Sequence, residues 1–121
     1  MKFGKDTGSL VNWALANPDY VKPEVGMDVT EFFWTDRRAW RVVEVDEDGK
    51  GCKLQKYAAK LVGNYYEQNY IYEDENGKPL LSNRFKTIRY KYKSWRAGGS
   101  KVNLRFGYRN EYEDPSFWLK F

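Results

Sequence analysis

Histidine is absent from this 121-residue sequence, and cysteine occurs once, as Cys52. Histidine is the commonest metal ligand and the commonest general base near neutral pH. Its absence, beside a single cysteine, excludes the usual zinc sites and the Ser-His and Cys-His nucleophiles. A lone cysteine forms no internal disulfide, which points to a reducing compartment. No run of residues approaches the roughly 20 apolar positions of a membrane span, and the opening "MKFGKDTGSL" has no apolar stretch of signal-peptide length. The expected location is the cytoplasm, without membrane contact. There is no Walker-type loop and no "GxSxG" elbow, and Gly98-Gly99 follows no strand-to-helix pattern. Catalysis is left to carboxylate, lysine or tyrosine chemistry, or to a carboxylate-bound magnesium ion. The expectation is a non-enzymatic protein without a cofactor.

What the sequence does hold is aromatic side chains, 18% of all residues. Tyr, Trp and Phe fit pleated, half-buried surfaces, so the composition leans towards sheet. The length suits one domain over 1–121, with a helix and connector in 1–25 and a β body in 26–121. Residues 9–17 predict a short helix: Ser9 caps it, Leu10, Trp13 and Ala14 share a face, and Asn17-Pro18 ends it. Strands are expected over 27–34, 39–45, 52–57, 69–73, 84–93 and 102–108. Asp48-Gly49 and Asn76-Gly77 mark tight turns between some of them. In 84–93, Ile88, Tyr90 and Tyr92 alternate against Thr87, Arg89, Lys91 and Lys93. Residues 58–68 stay open between loop, helical turn and irregular strand, and "SWRAGGSK" reads as a flexible connector. Short strands at this spacing suggest a mainly β fold, a small, strongly bent antiparallel barrel of SH3-like or OB-like type, with the helix over one opening. The alternative is an α+β fold with the helix on one face of an antiparallel sheet.

A formal charge of +4 conceals a segregation. Residues 76–110 contain no acid, while Lys78, Arg84, Lys86, Arg89, Lys91, Lys93, Arg96, Lys101, Arg105 and Arg109 fall there. Acids gather at Glu44, Asp46, Glu47 and Asp48, and again at Glu73, Asp74 and Glu75. If 84–93 pairs with 102–108, Arg89, Lys91 and Lys93 share a face with Arg105, and Arg96 and Lys101 flank the connector. Trp95 and Tyr108 would then offer stacking surfaces, the combination that single-stranded nucleic-acid binders use. Two plainer readings compete. Outward strand positions are often basic to protect edges and keep the protein in solution, and the acidic turns can fold back and neutralise the patch.

Two further stretches invite a chemical reading. "FFWTDRRAW" sets Asp36, Arg37 and Arg38 between Trp34 and Trp40. Asp36 would lock a turn, or the arginines would reach a phosphate or carboxylate. "FGYRNEYEDPSFW" gathers Glu111, Glu113 and Asp114 among rings, a spacing that matches no known metal loop, so no metal site is expected. In "DEDGK", Lys50 stands beside the acids of a hairpin tip, where nothing excludes water or tunes a pKa.

Four segments, "VGMDVTEFFWTDRRAWRVVEV", "DEDGK", "YYEQNYIYE" and "GYRNEYEDPSF", give the chain a general character that resembles small accessory proteins encoded by bacteriophages and prophages. The resemblance implies a phage accessory gene, of the kind that often inhibits host defence or binds host factors, and it assigns a role to no residue. The expected function is binding of an anionic partner, nucleic acid or nucleotide, through Arg84, Lys86, Arg89, Lys91, Lys93, Arg96, Lys101, Arg105 and Arg109, with Trp95 stacking. The alternative is a protein–protein inhibitor of a host defence system, such as an anti-CRISPR factor, anchored by Trp34, Trp40 or Trp118.

Overall fold

Period-two alternation decides which face of each strand joins the core. A computed structural model describes residues 20–63 and 67–113. Along the first half run Asp28–Phe32 (β1), Arg37–Val45 (β2), Gly51–Tyr57 (β3), Lys60–Val62 (β4) and Asn69–Ile71 (β5). The second half supplies Leu81–Lys91 (β6), Ser94–Ala97 (β7), Ser100–Lys101 (β8) and Asn103–Phe106 (β9). Seven strands form one antiparallel sheet in the order β8-β7-β6-β3-β2-β1-β9, and β4 pairs with β5 separately. The sheet bends until it is nearly closed. β8 passes through Val102 straight into β9, and the Val102 amide donates to the Trp95 carbonyl on β7 at 3.0 Å.

The expectation of a mainly β, bent antiparallel fold therefore holds, and the described residues contain no helix. The helix expected over 9–17 lies outside the described residues. Register fills the interior. Val29 is the Cα partner of Trp40 on one side and of Phe106 on the other, Val42 faces Leu54, and Cys52 faces Ile88. With Trp95 and Leu104 these side chains make one buried cluster. Cys52 sits within it, and burial, helped by Asp46, pushes its thiol up to about 12, which removes it as a nucleophile.

The "DEDGK" turn joins β2 to β3 as expected. The Asp46 amide donates to the Gly51 carbonyl at 2.8 Å, and the Lys50 amide to Asp48 Oδ1 at 2.8 Å. The open stretch 58–68 supplies β4, whose partner β5 lies against the barrel through a ring cluster. Tyr72 meets Tyr57 edge-on at 5.6 Å, and Arg109 stacks over Tyr72 at 4.3 Å. Burial pushes the phenols of Tyr70 and Tyr72 up to about 12, with Glu111 adding to it.

Two expectations are corrected. The segment "SWRAGGSK" is a hairpin, β7 and β8 joined through Gly98-Gly99, both at positive φ (58° and 86°) as a two-residue turn between paired Ala97 and Ser100 requires. And β6 does not pair with β9. Its neighbours are β3 and β7, while β9 pairs with β1 across the other end of the sheet.

Candidate functional site

Three of the predicted binding cations are engaged by carboxylates. Lys86 Nζ holds both oxygens of Glu31, at 2.8 and 2.7 Å, and lies 5.0 Å from the Trp40 ring. Glu31 is only 3% exposed and also accepts from Trp40 Nε1 at 3.1 Å, so this pair belongs to the interior. Arg89 meets the acidic turn, Asp48 at 2.5 Å and Asp46 at 3.3 Å. The Lys50 amide, with Arg89 second, holds the Asp48 carboxyl below its ordinary value. Arg109 pairs with Glu73 at 2.7 Å beneath Tyr72. The acidic turns thus neutralise part of the basic stretch.

Trp95 is corrected as a stacking surface: it is 4% exposed, packed on Tyr20, Tyr90 and Phe106, with no face open to a ligand. Trp40, also 4% exposed, cannot anchor a partner either. Trp34 is 58% exposed at the β1–β2 turn, and Trp118 lies outside the described residues. Arg105, on β9, stacks over Tyr108 at 5.1 Å, on a strand that does not pair with β6. Arg84 borders a small cleft of about 290 Å³ with Arg38 and Lys56. Lys56 is nearly buried there. Desolvation pushes its pKa down, and the Glu111 carboxylate at 2.8 Å opposes that.

The turn reading of Asp36 is supported by geometry: its carbonyl accepts from the Phe33 amide at 2.9 Å and its carboxylate holds Arg38 at 3.3 Å. Glu111 and Glu113 border one cleft, but among the described residues no group of three potential metal ligands forms there. The Glu111 carboxylate is taken by Lys56 and the Ala39 amide, whereas Glu113 is tied through its backbone to the Gln68 side chain. Asp114 lies outside the described residues.

What the fold does bring together is Lys91, Lys93, Arg96 and Lys101, around a residue the alternation had placed inward, Tyr92. β6 stops at Lys91, and Tyr92 and Lys93 form a two-residue turn to Ser94, both with left-handed φ (55° and 60°). That is the type I′ geometry, which favours Asn-Gly and strains residues bearing a Cβ. The turn leaves Tyr92 75% exposed. Lys91 Nζ lies 5.1 Å and Arg96 Cζ 5.4 Å from its ring centre. Across the β7–β8 pair, Arg96 is the register partner of Lys101. Among the described residues none of these four cations pairs with a carboxylate. The guanidinium of Arg96 is fixed by the carbonyls of Lys91 and Gly99, each at 3.2 Å. Sequence reasoning missed Tyr92 because the two central turn positions are Tyr and Lys, without the Gly, Asn or Asp that positive φ favours.

Comparison of the chain with family models, with curated proteins and with solved structures finds no match.

Two outcomes follow from this geometry. Lys86→Met leaves the buried Glu31 carboxylate without its cation and should destabilise the fold by about 2 kcal/mol in urea denaturation, whereas Lys91→Met should stay within about 0.5 kcal/mol of the parent. Replacing Tyr92-Lys93 by Asn-Gly relieves the turn strain and should stabilise the protein by about 1 kcal/mol, measured as a rise in Tm; an unchanged or lowered Tm would remove the strain argument.

Proposed function

We propose that this chain is a non-enzymatic binding protein, of the bacteriophage accessory kind, whose β6–β7–β8 hairpins take single-stranded nucleic acid. The observation that carries this reading is the Tyr92 ring, 75% exposed and flanked by cations that no carboxylate among the described residues neutralises. An exposed ring beside unpaired cations supplies the two terms such binding needs, stacking for the bases and attraction for the phosphates. Lys91, Lys93, Arg96 and Lys101 are spread along two successive hairpins, an arrangement suited to a run of phosphates more than to one nucleotide. Lys86 and Arg109 have no part in it, and Arg89 borders it without a free charge, because these three are already engaged with Glu31, with Glu73, and with Asp46 and Asp48.

The test is fluorescence anisotropy with a labelled single-stranded oligonucleotide across a salt series. The association constant should fall with salt at a log–log slope near −0.7 per phosphate contacted. Alanine at Lys91 or Lys101 should make that slope shallower by about 0.7, and alanine at Lys86 should leave it unchanged in protein that remains folded. Absent or salt-independent binding rules the reading out.

A second reading, an inhibitor of a host defence protein, is favoured by one observation: Trp34 and Phe33 stand 58% and 43% exposed together at the β1–β2 turn. Aromatic side chains dominate protein–protein hot spots. Capture of one stoichiometric host protein that is lost on Trp34→Ala, with no nucleic acid recovered, would favour this reading over the first.

A further inference from the structure

Beside Tyr92 the two hairpins leave a pocket of about 470 Å³ between the end of β6 and the Gly98-Gly99 turn. Its lining is mostly apolar. Thr87, Arg89 and Lys91, exposed positions of β6, line it together with Tyr92 and the glycine pair. Neither glycine has a heavy atom within 4 Å of where a Cβ would stand, so the space beside that backbone is open. Arg96 also lines the pocket. Two of its donors are spent on the Lys91 and Gly99 carbonyls, which fixes the plane of the guanidinium and leaves its remaining N–H groups available.

We infer that this pocket receives one unpaired nucleobase, stacked against the Tyr92 ring, with the acceptor edge of the base turned to Arg96. The inference rests on the single-stranded nucleic-acid reading and adds to it: phosphate contacts alone would hold any polyanion, whereas this pocket requires a flat ring. Three features argue for a base. The side walls are a planar aromatic ring and a side-chain-free backbone, which admit a flat group edge-on. Most of the pocket's surface is apolar although Arg89 and Lys91 also border it, which suits a π-face. The fixed guanidinium presents a row of donors and no acceptor, the pattern that pairs with O6 and N7 of guanine and is mismatched to the exocyclic amine of adenine. Guanine is therefore the base that the pocket fits best.

The experiment compares three oligonucleotides of one length on the unaltered protein: oligo-dT carrying one central guanine, the same strand carrying adenine there, and a fully abasic strand of equal charge. A stacked base contributes enough to change affinity by roughly tenfold. The guanine strand should bind at least tenfold more tightly than the abasic strand, with the adenine strand between them. Tyr92→Ala should bring the guanine strand down to the abasic level and leave abasic binding unchanged. Equal affinity for the guanine and abasic strands would overturn the base pocket while leaving a phosphate-binding surface intact. Failure of every strand to bind would overturn both readings.

Discussion

The Trp95 indole lies where the two ends of the sheet come together, 5.0 Å from Phe106 on β9 and stacked on Tyr20 at 6.0 Å. β7 is held at that position on one side by its pairing with β6 and on the other by the bond from the Val102 amide. Burying an indole of about 150–250 Å² at about 25 cal/mol/Å² is worth roughly 4–6 kcal/mol. Among the described residues Trp95 Nε1 has no hydrogen-bond partner, and an orphaned donor costs about 1–3 kcal/mol. Burial wins, so the sheet closes around the indole even with one polar atom left unsatisfied. The placement of the hairpins follows. With Trp95 pointing in, its strand neighbour Arg96 points the other way, and the turn before it carries Tyr92 out into solvent.

Closure also sorts the cations. A strand in a nearly closed sheet has an inside and an outside, and Lys86 falls on the same side as Ile88, where it can be kept charged only by a buried partner; Glu31 supplies it. Arg89 falls outside but within reach of the β2–β3 turn, whose Asp46 and Asp48 take it. Among the described residues no acidic turn reaches beyond Arg89, and none of their carboxylates pairs with the cations from Lys91 to Lys101. The strained turn sits at that end of the sheet. Two residues bearing a Cβ hold left-handed angles there although Asn-Gly would fit better, which is the kind of local conflict that foldability alone does not explain.

The legible part of this fold was the part written locally. Alternation in Val102–Phe106 and around Trp40, Val42, Cys52 and Leu54 marks strands with a defined inner face, and "DEDGK" marks the hairpin between two of them. "SWRAGGSK" was legible in principle, since paired glycines can close a two-residue turn, but its arms of four and two residues are too short to show a period. The end of β6 was not legible, because alternation runs unbroken through Tyr92 and only the backbone angles reveal the turn.

The sequence by itself determined that the protein is rich in strands, lacks imidazole and disulfide chemistry, and concentrates positive charge in 76–110. These are properties of composition and of near neighbours, and they survive any arrangement of the strands. Which strands pair, and hence which cations meet an acid, was decided only by tertiary structure. Ten basic positions in one stretch look alike along the chain, but Glu31 is 55 residues from Lys86 and Asp48 is 41 residues from Arg89. Salt screens such interactions beyond about 10 Å, so the partnership exists only once the sheet has closed. The same closure moved the exposed ring from Trp95 to Tyr92.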